Sequence, residues 1–358
     1  TFTGKRLDKS YAETRMRWEP IYETTQIKGD GEAHPFLSPT DEFADYETWD
    51  VGNLSFSRRV TTEMLPGSYT RSGLKRGLKF EAELGENPYQ FGLIGAGDSH
   101  TGLPGQEENN FMGKSASSEP DAERWETPFR TSEIGTQPGW SETASGLAAV
   151  WATENTREAL WDAMKRKEVY ATTGSRLKVR VFGGWDFEAE EVTRADFART
   201  GYDRGVPMGG DLTNTPEGKV PTFLVAALKD PIGANLDRYQ IVKGWLDSKG
   251  KLHEIVYDVA WSGDRKPGED GKLPAVGNTV NVKEATWTNT IGAPELITVW
   301  KDPDFNPKER AFYYGRVIEI PTPRWTAYDA LRLGVEMDSD VPVTTQERAY
   351  TSPIWFTP

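Results

Sequence analysis

At 358 residues the chain is longer than one hydrophobic core tends to serve, which favours two domains of roughly 150–200 residues each. Its 42 Lys and Arg against 55 Asp and Glu leave a formal charge of -13, which argues against a nucleic-acid partner, because phosphate-backbone binding draws its affinity from basic patches. The absence of cysteine excludes disulfides, thiolate nucleophiles and cysteine-ligated metals, while 13 Trp, 13 Tyr and 15 Phe exclude a disordered acidic chain.

Thr1–Arg17 has no apolar h-region, and no apolar run approaches the roughly 20 residues that span a bilayer, so neither a signal peptide nor a membrane span is expected. The first buried strand is expected at Trp18–Thr25, an aromatic and β-branched run. Tyr69–Leu84 is read as a helix, with Leu74 and Leu78 one turn apart and Gly85 as its stop. Phe91–Ala96 is short and apolar without alternation, as a strand of a parallel sheet buried on both faces reads. Gly102–Gly139 is a long polar loop expected over the mouth of a site. Gly146–Trp151 reads as a second two-sided strand, followed by a helix opened by Asn155 and Glu158 with Leu160, Ala163 and Met164 on its core face. From Leu177 onward the pattern changes to strands at Leu177–Val181, Thr222–Leu228, Tyr239–Leu246, Leu252–Trp261, Val280–Thr288, Leu296–Trp300 and Ala311–Ile320. Turn signals between them predict antiparallel pairing and a β-sandwich-like second domain.

Ligands and catalytic groups in a parallel α/β domain gather at the carboxyl ends of strands. Asp98 and His100 follow the Phe91–Ala96 strand directly, and a D-x-H pair there offers a carboxylate oxygen and an imidazole nitrogen suited to zinc, manganese or iron. Glu23 ends the earlier strand on the same rim, in position to bridge, and His34 lies in the loop shortly after it. The remaining histidine, His253, alternates with Ile255 and Tyr257 in a strand and is excluded from the site. Trp151, Trp161 and Trp185 could be taken for a carbohydrate-stacking set, but core packing is the commoner use of Trp at such positions.

Ile21-Tyr22-Glu23, Gly31-Glu32-Ala33-His34-Pro35, Phe91–Gly102 and Arg157–Arg176 resemble the PHP (polymerase and histidinol phosphatase) metallohydrolase superfamily, and within it the domain-of-unknown-function (DUF) family number 3604. The likeness runs on through Gly205–Asp211 and Tyr350–Phe356. It implies the C-terminal part of a distorted (β/α)7 barrel over residues 1–176, with a β-sandwich-like domain over residues 177–358. It also implies two or three divalent metals (Zn, Mn or Fe) in a complete site, with Glu23, His34, Asp98 and His100 as ligands and Glu23 bridging. The superfamily's opening H-x-H strand is absent from this sequence.

Two functions are therefore expected in competition. One is a metal-dependent hydrolase, phosphoesterase-like, with a metal-bound water as nucleophile and Lys28, Lys114 and Arg176 binding a small anionic substrate. The other is a non-catalytic binding or scaffold protein with a degenerate barrel. The missing H-x-H strand predicts an N-terminal polypeptide of the same precursor that completes the barrel and brings the remaining histidines. Localisation is expected to be periplasmic or secreted.

Overall fold

Asp8 caps the first helix, α1 (Lys9–Trp18), by accepting from the Tyr11 N–H at 2.9 Å, in a computed structural model that describes residues 4–103, 105–193 and 196–358. Trp18 closes this helix and is 70% exposed, so the buried run expected from Trp18 starts only after Pro20, as strand β1 (Ile21–Gln26). The chain turns at Ile27 and Lys28 into β2 (Gly29–Asp30), which pairs antiparallel with Thr25 and Gln26. Helix α2 (Thr70–Leu84) buries Leu74 and Leu78 completely, and Gly85 ends it with φ at 78°, a left-handed cap that costs glycine little. Strand β3 (Gly92–Gly95) then lies parallel to β1, Leu93 opposite Tyr22 and Ile94 opposite Glu23.

The long polar loop folds back on itself in the hairpin β4 (Arg130–Ser132) and β5 (Gly135–Gln137). It leads to β6 (Leu147–Val150), α3 (Arg157–Lys165) and β7 (Val169–Thr172), and Thr156 rather than Asn155 caps the helix. Next come β8 (Lys178–Gly184), α4 (Phe197–Arg204), β9 (Gly205–Pro207) and β10 (Asp211–Leu212). Long strands follow: β11 (Thr222–Leu228), β12 (Leu236–Leu246), β13 (Leu252–Trp261), β14 (Glu295–Lys301) and β15 (Arg310–Glu319). The chain ends with β16 (Thr322–Pro323), α5 (Trp325–Leu333), β17 (Thr344–Thr345), β18 (Arg348–Thr351) and β19 (Ile354–Phe356). The strand expected at Val280–Thr288 is instead a single 3-10 turn at Val282–Glu284; Asn281 caps it, and Val280 and Val282 find no core to face.

An eight-stranded sheet runs β10-β19-β15-β18-β7-β6, with β12 added to β15 and β13 to β12, and it holds strands from both sides of residue 176. One of its faces packs on the antiparallel sheet β14-β11-β8-β9, burying Val179, Val181, Phe223 and Val225 against Tyr239, Ile241, Tyr313 and Val317. The other face takes Leu74 and Leu78 of α2 with Phe91 and Leu93 beside Val242, Phe312 and Trp355. Each such large side chain contributes about 1.5–3 kcal/mol by leaving water.

The expected part of a (β/α)7 barrel over residues 1–176 is not the fold. Among the described residues no closed barrel forms, and strand outweighs helix, 28% against 20%. The parallel pair β1–β3 is real, but Gly146–Trp151 becomes β6, which pairs antiparallel with β7, Leu147 opposite Thr172. A four-residue apolar run reports burial and carries no information about direction. Among the described residues no helix is long and apolar enough to cross a membrane.

Gly95 fixes how closely β3 approaches β6 and β7. A Cβ there would stand 2.7 Å from the Thr172 carbonyl oxygen and 2.8 Å from that of Leu147, and backbone on both sides cannot swing aside. Gly95→Ala is expected to cost about 1–3 kcal/mol, read as a lower urea midpoint at unchanged slope. A wild-type midpoint would contradict this packing.

Candidate functional site

Directly beyond β3, Asp98 adopts φ of 49°, a left-handed conformation that Asp tolerates better than most residues. The turn directs its carboxylate at two ammonium groups. Lys28, between β1 and β2, donates to Asp98 Oδ2, and Lys114 Nζ donates to the same oxygen at 2.8 Å and to the Asp98 carbonyl at 2.6 Å. His100 Nε2 lies 3.2 Å from Asp98 Oδ1 and 3.3 Å from Lys114 Nζ, and the His100 N–H donates to the Lys114 carbonyl at 2.7 Å. The Asp98–His100 turn and the long polar loop are thereby clasped together. Lys114 is buried, whereas the His100 side chain is 64% exposed and free to meet a solute.

Burial first, and then the neighbouring Lys114 charge, bring Lys28 down to about 8, although Glu23 and Glu142 pull the other way. Burial also lowers Lys114. Beneath Lys114 sits Glu142, whose Oε2 accepts the Lys114 N–H at 3.2 Å and whose buried Oε1 has no partner; burial pushes this carboxyl up to about 7. Glu142 belongs to the site, yet nothing in its sequence surroundings marks it, since it sits at the end of a polar loop and outside any motif.

Glu23 is exposed on β1 and acts on both lysines through its charge. It lines a groove of about 350 Å³ together with Tyr22, Lys28, Asp30, Trp49 and Tyr69. The groove follows β1 along its edge away from β3. Gly31 N–H meets the Thr24 carbonyl there at 2.7 Å, and β2 covers Thr25 and Gln26. Ahead of them, among the described residues, no strand pairs with that edge over Ile21–Glu23. Asp30, 4% exposed, lines the groove and has a buried Oδ2 without a hydrogen-bond partner, and burial pushes its carboxyl up to about 7.

The sequence-predicted residues therefore separate. Asp98, His100, Lys28 and Lys114 come together, with Glu23 in electrostatic reach. His34 stands apart from them: its Nε2 lies 3.1 Å from Asp50 Oδ2, its Nδ1 accepts the Phe36 N–H at 3.0 Å, and its ring rests on Tyr69. Arg176 is drawn to Glu107 at 2.5 Å. His253 stacks on Trp245 and pairs with Asp247 at 2.8 Å. Trp151 and Trp185 pack against the core while Trp161 is 65% exposed, so the three tryptophans form no common platform. Among the described residues no three His, Asp or Glu side chains are placed to hold a metal ion, and Asp98, the best donor, already faces two ammoniums. These residues do not by themselves make the two- or three-metal centre that the resemblance implies.

A family model described as "Protein of unknown function (DUF3604)" matches residues 1–358. No curated protein and no solved structure matches the chain.

Proposed function

Since the chain belongs to the DUF3604 family, we propose that it contributes one side of a composite hydrolytic centre acting on an anionic ester, a phosphoester foremost. The observation that supports this is the convergence of Lys28, Lys114 and His100 on Asp98 at the carboxyl ends of the parallel pair β1–β3, beside a groove that follows an uncovered strand edge. In this proposal the lysines draw the anionic group of the substrate, His100 exchanges protons at the exposed mouth, and Asp98 holds all three in place. The likeness to PHP metallohydrolases is the source of the metal-dependent chemistry. The donors that this chain lacks come from a second polypeptide, N-terminal in the same precursor, whose strand adds to the Ile21–Glu23 edge, where unpaired backbone groups template such an addition.

The alternative, a non-catalytic binding module, is favoured by one feature: Lys28 and Lys114 compensate the Asp98 charge within the chain, so the site is balanced without a metal. Metal analysis and turnover of a chromogenic phosphate ester decide between them. With its N-terminal polypeptide the chain is expected to hold stoichiometric Zn, Mn or Fe and to turn over, with Asp98→Asn reducing kcat/KM by roughly a hundredfold or more, the order lost when a key electrostatic group is removed. Metal-free, inactive material from the assembled pair would establish the binding module. Stoichiometric metal and full turnover in the chain alone would remove the second polypeptide.

A further inference from the structure

The segment Gln106–Asn109 of the long loop lines a separate cavity of about 120 Å³, between the turn after β7 and the start of α5. Its wall carries five carboxyl groups, and none of its lining side chains is basic. Glu319, Glu347 and Asp230 are buried, Glu108 is half-buried and Glu107 stands at the rim. The cations nearby do not line the cavity, although the charges of Arg324 and Lys229 reach Glu108 and Glu319 and Arg176 pairs with Glu107 at the rim. Lys229 Nζ turns to the carbonyls of Asp230 and Gly233 at 2.8 and 2.9 Å, Arg324 is held by Glu47 at 2.8 and 3.0 Å, and Arg176 by Glu107.

Glu319 gives the cavity its direction. It is 2% exposed, and among the described residues its carboxylate has one hydrogen bond, from Ser175 Oγ to Oε1 at 2.5 Å, which leaves Oε2 for the cavity. Glu347 takes the Thr173 hydroxyl on Oε2 and shares a hydrogen bond with the Glu108 carboxyl. Four other buried carboxylates, Glu32, Asp41, Asp302 and Asp329, meet guanidinium or ammonium partners, whereas Glu319 and Glu347, like Asp30 and Glu142, have no ion pair of this kind among the described residues. The carboxyls around the cavity do not converge tightly enough to hold a metal ion, and Trp287 and Tyr328 complete the wall with two aromatic rings. Spaced carboxylates beside aromatic faces suit a cation larger than a metal and partly apolar, which gains charge-assisted hydrogen bonds from the acids and cation–π contact from the rings.

We propose that this cavity binds the ammonium or guanidinium end of a small organic cation, a site distinct from the Asp98 centre. The volume admits the charged head of such a ligand, with the remainder leaving past Trp287 and the exposed Ile232.

Titration calorimetry of the full chain with putrescine, with butanediol as its neutral isostere and with magnesium chloride, all at one ionic strength, tests this. Saturable putrescine binding is expected, weakened about tenfold or more in Glu319→Gln and in Glu347→Gln. Proton release on binding is also expected, seen as a heat that depends on the ionisation enthalpy of the buffer. The Gln variants keep size and hydrogen-bonding capacity, so an unchanged circular dichroism spectrum separates lost binding from lost folding. Equal binding of butanediol, saturation by magnesium in place of putrescine, or unchanged putrescine affinity in both variants would each overturn the proposal.

Discussion

Arg316→Met is expected to cost the fold about 3–5 kcal/mol, the order lost when one member of a buried ionic network is removed and its partners are stranded. Arg316 is fully buried on β15, and its guanidinium meets Asp41 at 2.7 and 2.9 Å, Glu32 at 3.1 Å and Gln240 at 2.8 Å. Arg71 of α2 completes the cluster, reaching Glu32 at 3.0 Å, Asp41 at 2.8 Å and Glu254 at 3.2 Å, while the Tyr314 hydroxyl donates to Glu32. The network joins α2, β13 and β15 to the Glu32–Asp41 loop, and so fixes the segment that carries Asp30 and His34. Burial alone would push the Asp41 carboxyl up, but the Arg316 and Arg71 charges overcome that effect and hold it well below the usual carboxylate range. A depressed folded-state pKa gives stability that is present above the unfolded value near 4 and is lost as pH falls toward the folded one. Urea titrations should therefore show a large deficit for Arg316→Met at neutral pH that narrows below about pH 4. A deficit under about 1 kcal/mol at neutral pH would mean that Arg71 suffices to balance both acids.

Local pattern was a good guide wherever an element's identity depends on its own side chains. Thr222–Leu228 and Leu252–Trp261 have the bounds that alternation and turn signals predict, and the stop at Gly85 is a matter of one left-handed residue. Direction and partnership are different quantities. Thr172 pairs with Ala349 across half of the chain's length, and this join, which carries β6 and β7 into the large sheet, leaves no trace in either segment. The barrel expectation failed at that point. In the Asp98 site the residues taken from strand ends and motif loops, Asp98, His100, Lys28 and Lys114, do assemble, because a strand end fixes position within a turn or two. His34 is lost to the group because a loop allows its ring to settle on Asp50 instead. Glu319 was legible in part: a carboxylate between Ile318 and Ile320 in a strand buried along its length is a misfit that asks for a partner.

That misfit sets the last expectation: the ligand-free protein should lose stability as pH rises from about 5 to about 8.5. Burial pushes Glu108 up to about 7 and Glu319 up to about 8, and burial together with the Glu108 charge raises Glu347 well above its ordinary value. Carboxyls whose folded-state pKa lies above the unfolded one bind protons more tightly in the folded protein. Their contribution is complete below the unfolded value near 4 and is lost as pH rises through the folded values. A shift of about three units in a fully buried group corresponds to a loss of roughly 4 kcal/mol on the alkaline side. Asp30 and Glu142, both raised to about 7, add to the same slope from the other site, so the wild-type curve alone does not single out the cavity. The difference curve does. Glu319→Gln removes one titration and leaves the rest, so its urea midpoint should match the wild type near pH 5 and exceed it increasingly toward pH 8.5. Saturating putrescine should flatten the wild-type curve over the same range, because a bound cation favours the ionised carboxyls. If the variant and wild-type curves run parallel, Glu319 titrates alike in the folded and unfolded chain, and the cavity holds no excess of buried negative charge for a ligand to meet.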